Sequence, residues 1–249
     1  MEKLEQKLAL VTGGSRGLGF ETAKALRQQG FDLILVSKSS ANLASAKASL
    51  EQSPGGLITT YGIDFENFEE SAVGLDEIAA NHPEITHLVI SHAVMSEKMS
   101  KTIKTTDAEW RRVMTINLDS VFQVVNRLVP AMVEARSGRV VIFSACLGRM
   151  SGPGNAGGLA PYRISKAGVN ALVRNLAHET GVGARGVLVD ALCPNHSRTD
   201  MGGPDAPRSA EKGAETAVWL ATRGFDKSSD DFQKKTTGVL WEDHQVVPW

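Results

Sequence analysis

The stretch Thr-Gly-Gly-Ser-Arg-Gly-Leu-Gly, from Thr12 to Gly19, decides how this chain is expected to fold. An apolar run over residues 8–11 precedes it and reads as a short buried strand. A run with helical periodicity follows and ends at Gly30. Glycines between a strand and a helix allow positive φ angles and let backbone N–H groups approach a pyrophosphate, toward which the helix points its positive end. This context favours a dinucleotide-binding turn over an ordinary tight turn.

Strand-like apolar runs and helix-like stretches alternate along the rest of the chain, which is typical of repeated βα units and a parallel sheet. Further strands are predicted at residues 33–36, 57–63, 87–90, 138–144 and 187–192, and helices at about 39–50, 67–80, 107–135 and 161–180. Thr106 and Glu109 have the spacing of a capping box. The predicted fold class is α/β: a single-domain Rossmann fold with a doubly wound parallel sheet of about seven strands and helices on both faces. Residues 1–249 contain no repeat, linker or low-complexity tract and are expected to form one domain.

Composition narrows the class of protein. The net charge is −1 and no basic stripe indicates nucleic-acid binding. The N-terminus is charged and lacks the apolar region of a secretory signal, and no apolar run reaches the roughly 20 residues of a membrane helix. The two cysteines, Cys146 and Cys193, make neither a disulfide framework nor a metal-binding pattern, and are expected to pack as small apolar residues. A cytoplasmic protein with no metal, no nucleic-acid partner and no membrane partner is expected.

The end of the second predicted strand bears on the choice of cofactor. An acidic residue there would bind the adenosine ribose of NAD, whereas a basic residue would accommodate the 2′-phosphate of NADP. The segment Val-Ser-Lys-Ser-Ser, residues 36–40, contains Lys38 and no carboxylate, and Arg16 in the glycine turn is a second cation. These residues favour NADP(H). Asp64, after the third strand, is expected to contact the adenine, to cap the next helix, or to do both.

Tyr162 and Lys166 are four residues apart and share one face of the last long predicted helix. A phenol titrates near about 10, too high for easy proton exchange at neutral pH. A fixed ammonium nearby would favour the phenolate and lower that pKa, giving a usable general acid or base. The pair alone is a weak signal, but it follows a strand and a loop in the second half of a predicted dinucleotide fold.

At this point the chain resembles the short-chain dehydrogenase/reductase family over nearly its whole length. The matching pieces are the glycine turn, Asp64, Asn117, Tyr162 with Lys166, and Pro194 with Thr199; the run from Arg198 to Pro204 and the ending Val-Pro-Trp resemble a carbonyl-reductase-like branch. The resemblance implies reversible carbonyl/alcohol redox with NADP(H). Tyr162 would donate the proton, Lys166 would hold the nicotinamide ribose and lower the tyrosine pKa, and Asn117 would fix a water in a proton relay. The cofactor-binding set it implies is Gly13, Ser15, Arg16, Leu18, Gly19, Lys38, Ser39, Asp64, Phe65, Ser91, Ala93, Tyr162, Lys166, Pro194 and Thr199.

The resemblance also implies a substrate lid at about residues 195–211 and a homodimer or homotetramer that pairs through the two long helices. A small carbonyl compound would be the substrate. The first reading is therefore an NADP(H)-dependent reductase. A second is a specialised enzyme of this fold that performs imine reduction, cyclisation or another acid/base step. A third is a catalytically weak NADP(H)-binding sensor or partner protein.

The second and third readings arise from three departures on the nicotinamide side. The family's Asn-Asn-Ala-Gly is Ser91-His92-Ala93-Val94, and Pro194 is followed by Asn195 instead of glycine. The family's substrate-binding serine falls on Ala145, which cannot donate a hydrogen bond. The candidates to replace it are Ser144, Ser151 and Asn155, although Ser144 would face the other side of the strand and the other two would belong to an ordinary turn. His92 and His196 are candidates for the edge of the pocket, or they simply satisfy local hydrogen bonds.

Overall fold

The computed structural model describes residues 7–97, 101–152 and 157–249. The strands are β1 (Leu8–Thr12), β2 (Asp32–Ser37), β3 (Ile58–Gly62), β4 (His87–Ile90), β5 (Gly138–Phe143), β6 (Val187–Leu192), β7 (Leu240–Glu242) and β8 (Gln245–Val247). The helices are α1 (Gly17–Gln28), α2 (Ser40–Glu51), α3 (Phe68–Asn81), α4 (Asp107–Met114), α5 (Ser120–Glu134), α6 (Ala160–Glu179), α7 (Ala210–Thr222) and α8 (Phe232–Lys235). Short 3₁₀ turns cover Thr102–Lys104 and Cys146–Gly148.

The strands form one sheet in the order β3-β2-β1-β4-β5-β6-β7-β8. The seven strands from β1 to β7 are parallel, which confirms the predicted Rossmann fold, and β8 adds an antiparallel edge. The β7–β8 hairpin turns through Asp243 and His244, whose φ angles are 48° and 63°. Neither β7 nor β8 was located from the sequence, because each strand has only three residues. The order reverses between β1 and β4, where such sheets open a ligand crevice at the carboxyl ends of the strands.

The sheet is covered on both faces. One apolar layer joins α3, α5 and α6 through residues such as Leu75, Val124 and Val169. The other layer joins α1, α2 and α7, for example through Leu26 and Leu220. The central strands are buried on both faces, so they read as continuous apolar runs in the sequence.

The helix predicted over residues 107–135 is interrupted. A π-helical turn at Thr115–Asp119 separates α4 from α5. At the start of α4, Thr106 Oγ accepts the backbone N–H of Glu109 at 3.2 Å, as a capping box requires. The second bond of a capping box, from the backbone N–H of Thr106 to the Glu109 carboxylate, is not the one formed. The Glu109 carboxylate pairs with Arg112 at 2.8 Å and accepts the N–H of Glu97 at 2.9 Å. The guanidinium of Arg112 therefore takes the place of the expected hydrogen bond between the Glu109 carboxylate and the backbone of Thr106.

In the described ranges, no helix has the length and apolar composition that crossing a membrane requires. Within the same residues, no three His, Cys, Asp or Glu side chains converge on a position that could hold a metal ion.

Candidate cofactor and active site

A cavity of about 630 Å³ opens at the carboxyl ends of β1, β4 and β5 and is bounded by the glycine turn, α6 and the segment after Pro194. The predicted cofactor residues that line it are Gly13, Ser15, Arg16, Leu18, Gly19, Lys38, Asp64, Phe65, Ser91, Ala93, Tyr162, Lys166, Pro194 and Thr199. The lining residues that the sequence analysis did not single out include Ser37, Ile63, Val94, Arg112, Ile116, Phe143, Asp200 and Met201. Most of these lie one to three residues from a predicted position, at strand ends where the motif alone does not say which side chain turns inward.

The glycine turn packs so closely against the end of β4 that side chains would collide there. Gly13 has a φ of +66°, and a Cβ built on it would lie 2.9 Å from the backbone N of His92. A Cβ on Gly19 would overlap the carbonyl oxygen of Gly13 and the hydroxyl of Ser91. Helix α1 begins after Arg16 with no side-chain cap and no acidic residue in its first turn. Backbone N–H groups at a helix start favour an anion, so this turn fits the pyrophosphate of a dinucleotide.

The two cations expected at the adenosine end are both ion-paired. Lys38 Nζ lies 2.7 Å from Asp64 and 3.8 Å from Glu66, and the Asp64 carboxylate raises the pKa of Lys38. Arg16 lies 2.5 Å from Asp200. The end of β2 itself carries no carboxylate. The carboxylates that pair with the two cations come from other segments: Asp64 follows β3, and Asp200 follows β6. A 2′-phosphate would have to exchange with them.

Asp64 lines the cavity as expected but does not act as a helix cap, and Ser39 differs from its expected position. Asp64 does not cap α3, because Asn67 does so, with its Oδ1 accepting the N–H of Glu70 at 3.3 Å. Ser39 lies outside the cavity lining. Its Oγ instead caps α2 by accepting the N–H of Asn42 at 3.2 Å. The sequence contains two adjacent serines, Ser39 and Ser40, at this point. Which of them caps α2 depends on where the helix starts, and the sequence alone did not determine that.

Tyr162 and Lys166 both face the cavity and are almost completely buried, with 6% and 2% of their surfaces exposed. Lys166 Nζ donates a hydrogen bond to the carbonyl oxygen of Phe143 at 2.7 Å, and burial lowers its pKa to about 8. Burial, together with the charges of Cys193 and Cys146, raises the pKa of Tyr162. Lys166 does not contribute to this shift, since its ammonium donates to a backbone carbonyl, and its lowering of the tyrosine pKa stays a prediction.

Asn117 lies in the π-helical turn, fully buried and outside the cavity lining. Its Oδ1 accepts the N–H of Val94 at 2.8 Å, and its amide nitrogen donates to the carbonyl of Val94 at 2.9 Å and to Ser165 Oγ at 3.1 Å. Both amide hydrogens are therefore used by protein groups. Asn117 therefore connects the segment after β4 to α6 through Ser165, which directly precedes Lys166.

Among the described residues, the two hydroxyls considered as replacements for the serine, those of Ser144 and Ser151, are both engaged. Ala145 is 8% exposed and lies outside the cavity lining. Ser144 lines the cavity, but its buried hydroxyl donates to Asn170 Oδ1 at 2.5 Å. Ser151 Oγ donates to the carbonyl of Trp249 at 3.2 Å. Asn155 falls outside the described residues.

The two histidines have different surroundings. His92 lines the cavity, stacks on Phe65 at 4.0 Å between ring centroids, and bonds Thr12 Oγ1 and Ser120 Oγ, each at 2.7 Å. Burial and the nearby charge of Lys166 lower its pKa to about 3, so the ring is neutral at physiological pH. His196 is exposed, lies outside the lining and contacts the carbonyl of Gly202 at 2.8 Å.

Comparisons with known proteins agree with this arrangement. Residues 7–209 match the family model of the short chain dehydrogenases. The 3-oxoacyl-[acyl-carrier-protein] reductase FabG of Escherichia coli K12 is 32% identical over 197 residues, which cover 79% of this chain and 76% of that protein. The enzyme of the same name from Thermotoga maritima is 28% identical over 216 residues, covering 87% of this chain and 82% of that protein.

Solved structures show the same fold. A short chain dehydrogenase/reductase family protein superposes with a TM-score of 0.79 at 23% identity, covering 97% of this chain and 96% of that chain. A metagenomic short-chain oxidoreductase in complex with NADP superposes with a TM-score of 0.74 at 24% identity, covering 90% and 93%. The chain therefore belongs to the short-chain dehydrogenase/reductase family. It is an oxidoreductase with a nicotinamide-cofactor fold.

Proposed function

We propose that this protein is an NADP(H)-dependent oxidoreductase that reduces the carbonyl group, or a related C=X group, of a small organic substrate by hydride transfer. One observation carries the proposal. A single cavity has the glycine turn and two cations, Arg16 and Lys38, at one end and Tyr162 with Lys166 at the other.

When bound, the nicotinamide cofactor supplies the hydride. Tyr162 then donates its proton to the substrate oxygen. Burial raises the pKa of Tyr162, so the phenol carries the proton that a general acid must donate. Efficient donation near neutral pH requires this pKa to fall when cofactor and substrate bind. Lys166 is largely charged at neutral pH, since its pKa is about 8, and can hold a ribose hydroxyl.

We assign Asn117 to positioning. Its side-chain amide holds Val94 against the π-helical turn and Ser165 on α6, so it fixes the helix turn that carries Tyr162 and Lys166. A water relay through Asn117 would have to use another atom of the residue, because both amide hydrogens are occupied.

We assign the remaining cofactor contacts to those predicted residues that line the cavity. NADP(H) is preferred over NAD(H) because of Arg16 and Lys38. We propose that residues 1–249 form one cytoplasmic NADP(H)-binding domain. We place the substrate lid at residues 195–211, where Thr199 and Met201 face the cavity. Homodimer or homotetramer pairing through α4–α5 and α6 is supported by the exposed apolar side chains Phe122 and Ile164 on these helices.

Acyl thioesters with a 3-oxo group are the first substrates to test, since the relatives that are 32% identical are named as reductases of 3-oxoacyl-[acyl-carrier-protein]. A second candidate is a specialised reaction, such as imine reduction or cyclisation, that does not need a hydroxyl donor. Ala145 and the engaged hydroxyl of Ser144 favour this candidate.

The test is NADPH oxidation over a panel of 3-oxoacyl thioesters, ketones, aldehydes and cyclic imines, with wild type, Ala145→Ser and Tyr162→Phe. We expect wild type to reduce at least one carbonyl class. Tyr162→Phe is expected to lower kcat by about 10²–10⁴-fold with unchanged NADPH affinity, since the general acid is lost.

Ala145→Ser serves as the matched probe of the missing donor, because one oxyanion donor is worth about 10²–10³ in rate. Turnover of carbonyls by wild type with little gain from serine supports the first proposal. Carbonyl reduction by the serine variant alone, with wild-type turnover of imines, overturns it in favour of the specialised reaction. Full activity of Tyr162→Phe would contradict the general-acid assignment.

A further inference from the structure

Cys146 and Cys193, the only two cysteines of the chain, lie side by side. Cys193 directly follows β6, and Cys146 begins the 3₁₀ turn after β5. Phe143 pairs with Leu192 in the register of these parallel strands, which brings the two strand ends together. The backbone N–H of Cys146 donates to Cys193 Sγ at 3.0 Å. The two cysteines are expected to pack as small apolar residues, and the structure adds a direct contact between them.

The pair is built from one accessible and one enclosed sulfur. Cys146 is partly exposed, whereas Cys193 is 1% exposed. The backbone nitrogen of Cys146 lies 3.0 Å from Cys193 Sγ, so the Cys146 Cα lies within about 4.5 Å of that sulfur. The sulfur of one cysteine thus contacts the backbone of the other, a proximity that a disulfide between them requires.

The electrostatic surroundings make the two thiols unequal. The Cys193 thiol donates to the Cys146 sulfur, which, helped by the backbone N–H of Leu147, lowers the pKa of Cys146 to about 6. The same contact raises the pKa of Cys193. The charged or titratable groups that face the pair are Glu242, Arg208 and Tyr162. A partly exposed thiolate next to an enclosed, protonated thiol is the arrangement of an attacking and a resolving cysteine.

We propose that Cys146 and Cys193 form a redox-active dithiol that hydrogen peroxide converts to a disulfide. The Cys146 thiolate attacks one peroxide oxygen, the O–O bond breaks, and the released hydroxide takes up a proton to leave as water. The Cys193 sulfur then displaces the hydroxyl group from the resulting sulfenic acid, forming the S–S bond and releasing a second water. The two thiols together lose two electrons and two hydrogens to the peroxide. This site is additional to the proposed function and does not depend on it.

The experiment treats the folded full-length protein with hydrogen peroxide and counts free thiols after quenching and denaturation. We expect both thiols to disappear together, the mass of the monomer to fall by two hydrogens, a peptide linking Cys146 to Cys193, and full recovery with dithiothreitol. Because the chain has two cysteines, an intramolecular disulfide can join only these residues. This measurement on wild type requires no variant to fold.

Two matched variants separate the roles. In Cys193→Ser, we expect Cys146 to accumulate as a sulfenic acid that dimedone traps. In Cys146→Ser, we expect the remaining thiol to oxidise at least about tenfold more slowly than the thiols of wild type, since it is enclosed and its pKa is raised. Disulfides between chains, independent loss of the two thiols, or equally fast oxidation of Cys146→Ser would each overturn the proposal. None of these readouts uses turnover, so failure of the proposed function leaves them interpretable.

Discussion

His92 stands where the family resemblance expects asparagine, and its neutral ring joins β1 to α5 through Thr12 and Ser120. Its folded-state pKa is about 3, compared with 6.5 for an ordinary histidine. Between these values the unfolded chain binds the additional proton and the folded chain does not. The free energy of unfolding must therefore fall as the pH drops from about 6.5 toward 3. His87, with a pKa lowered to about 4 by burial, contributes in the same direction.

The prediction is that His92→Asn flattens this acid dependence. The slope should decrease by up to about 1.4 kcal/mol per pH unit, the value for one linked proton. Urea unfolding at several pH values between 4 and 7 measures it. The exposed His178, changed to Asn, is the control and should leave the slope as it is. An unchanged slope in His92→Asn would show that His92 does not resist protonation in the folded state.

Lys38 and Arg16 allow a second prediction at the residue scale. Both cations are held by carboxylates, so a cofactor phosphate competes with Asp64, Glu66 and Asp200 for them. We expect Lys38→Ala to weaken NADPH binding by about tenfold, or ~1.4 kcal/mol, with NADH binding unchanged. Asp200→Asn should strengthen NADPH binding, because it releases Arg16.

Fluorescence titration with each dinucleotide gives the dissociation constants. Lys47→Ala is a suitable control, since Lys47 lies on α2 and pairs at 3.9 Å with Glu51 outside the cavity. If wild type binds NADPH no more tightly than NADH, the assignment of these cations to a 2′-phosphate fails.

At the scale of elements, the start of α6 depends on a distant hydroxyl. Its N-cap residue, Leu159, has a left-handed φ of 54° and gives no side-chain cap. The buried Ser96, in the segment after β4, instead accepts the N–H of Tyr162 at 2.8 Å. The helix that presents Tyr162 is thus capped from another part of the chain.

We predict that Ser96→Ala lowers the free energy of unfolding by about 1–3 kcal/mol, because a buried N–H loses its acceptor. Ser96→Thr keeps the oxygen and should recover most of the stability. Hydrogen exchange at the Tyr162 amide is the local measurement and should accelerate in Ser96→Ala. Ser45→Ala, at an exposed position on α2, should change stability by less than about 0.5 kcal/mol. Unaltered exchange at Tyr162 would rule out the capping role.

At the scale of the whole molecule, a buried ion pair fixes the end of the sheet. Asp190 on β6 pairs with Arg223 at 2.8 Å and accepts the indole N–H of Trp241 at 3.0 Å. Arg223 also lies over the rings of Trp219 and Trp241, about 5 Å from their centroids. This cluster joins the C-terminal strands to β6. Burial raises the pKa of Asp190, whereas Arg223 acts in the opposite direction by stabilising the charged carboxylate. Removal of Arg223 therefore leaves the buried Asp190 carboxylate without its partner, which is costly.

Arg223→Met is therefore expected to lower the free energy of unfolding by about 3–5 kcal/mol. The double variant Asp190→Asn/Arg223→Met should lose less, since no buried charge remains unpaired. Chemical denaturation measures both. Glu215→Gln breaks the exposed pair with Lys212 and should cost at most about 1 kcal/mol. Equal losses in the single and double variants would mean that packing, and not the charge, determines the effect.

The agreement between sequence and structure is greatest where local patterns act alone. The apolar runs of β1 to β6 and the glycine turn were located from a few neighbouring residues, because strand burial and backbone freedom are properties of short segments. The candidate site was anticipated less completely. Asp200 lies within the predicted lid, but nothing in the sequence indicated its ion pair with Arg16, which is 184 residues away.

By itself, the sequence determined the α/β architecture, the glycine turn and the placement of Tyr162 and Lys166 on one helix face. Only the tertiary structure decided what each polar side chain contacts: Lys166 binds Phe143, Ser144 binds Asn170, and Cys146 meets Cys193. The physical reason is range. Periodicity and turn chemistry act over a few residues, whereas these contacts join residues 23 to 47 apart, and they form only after the strands have paired.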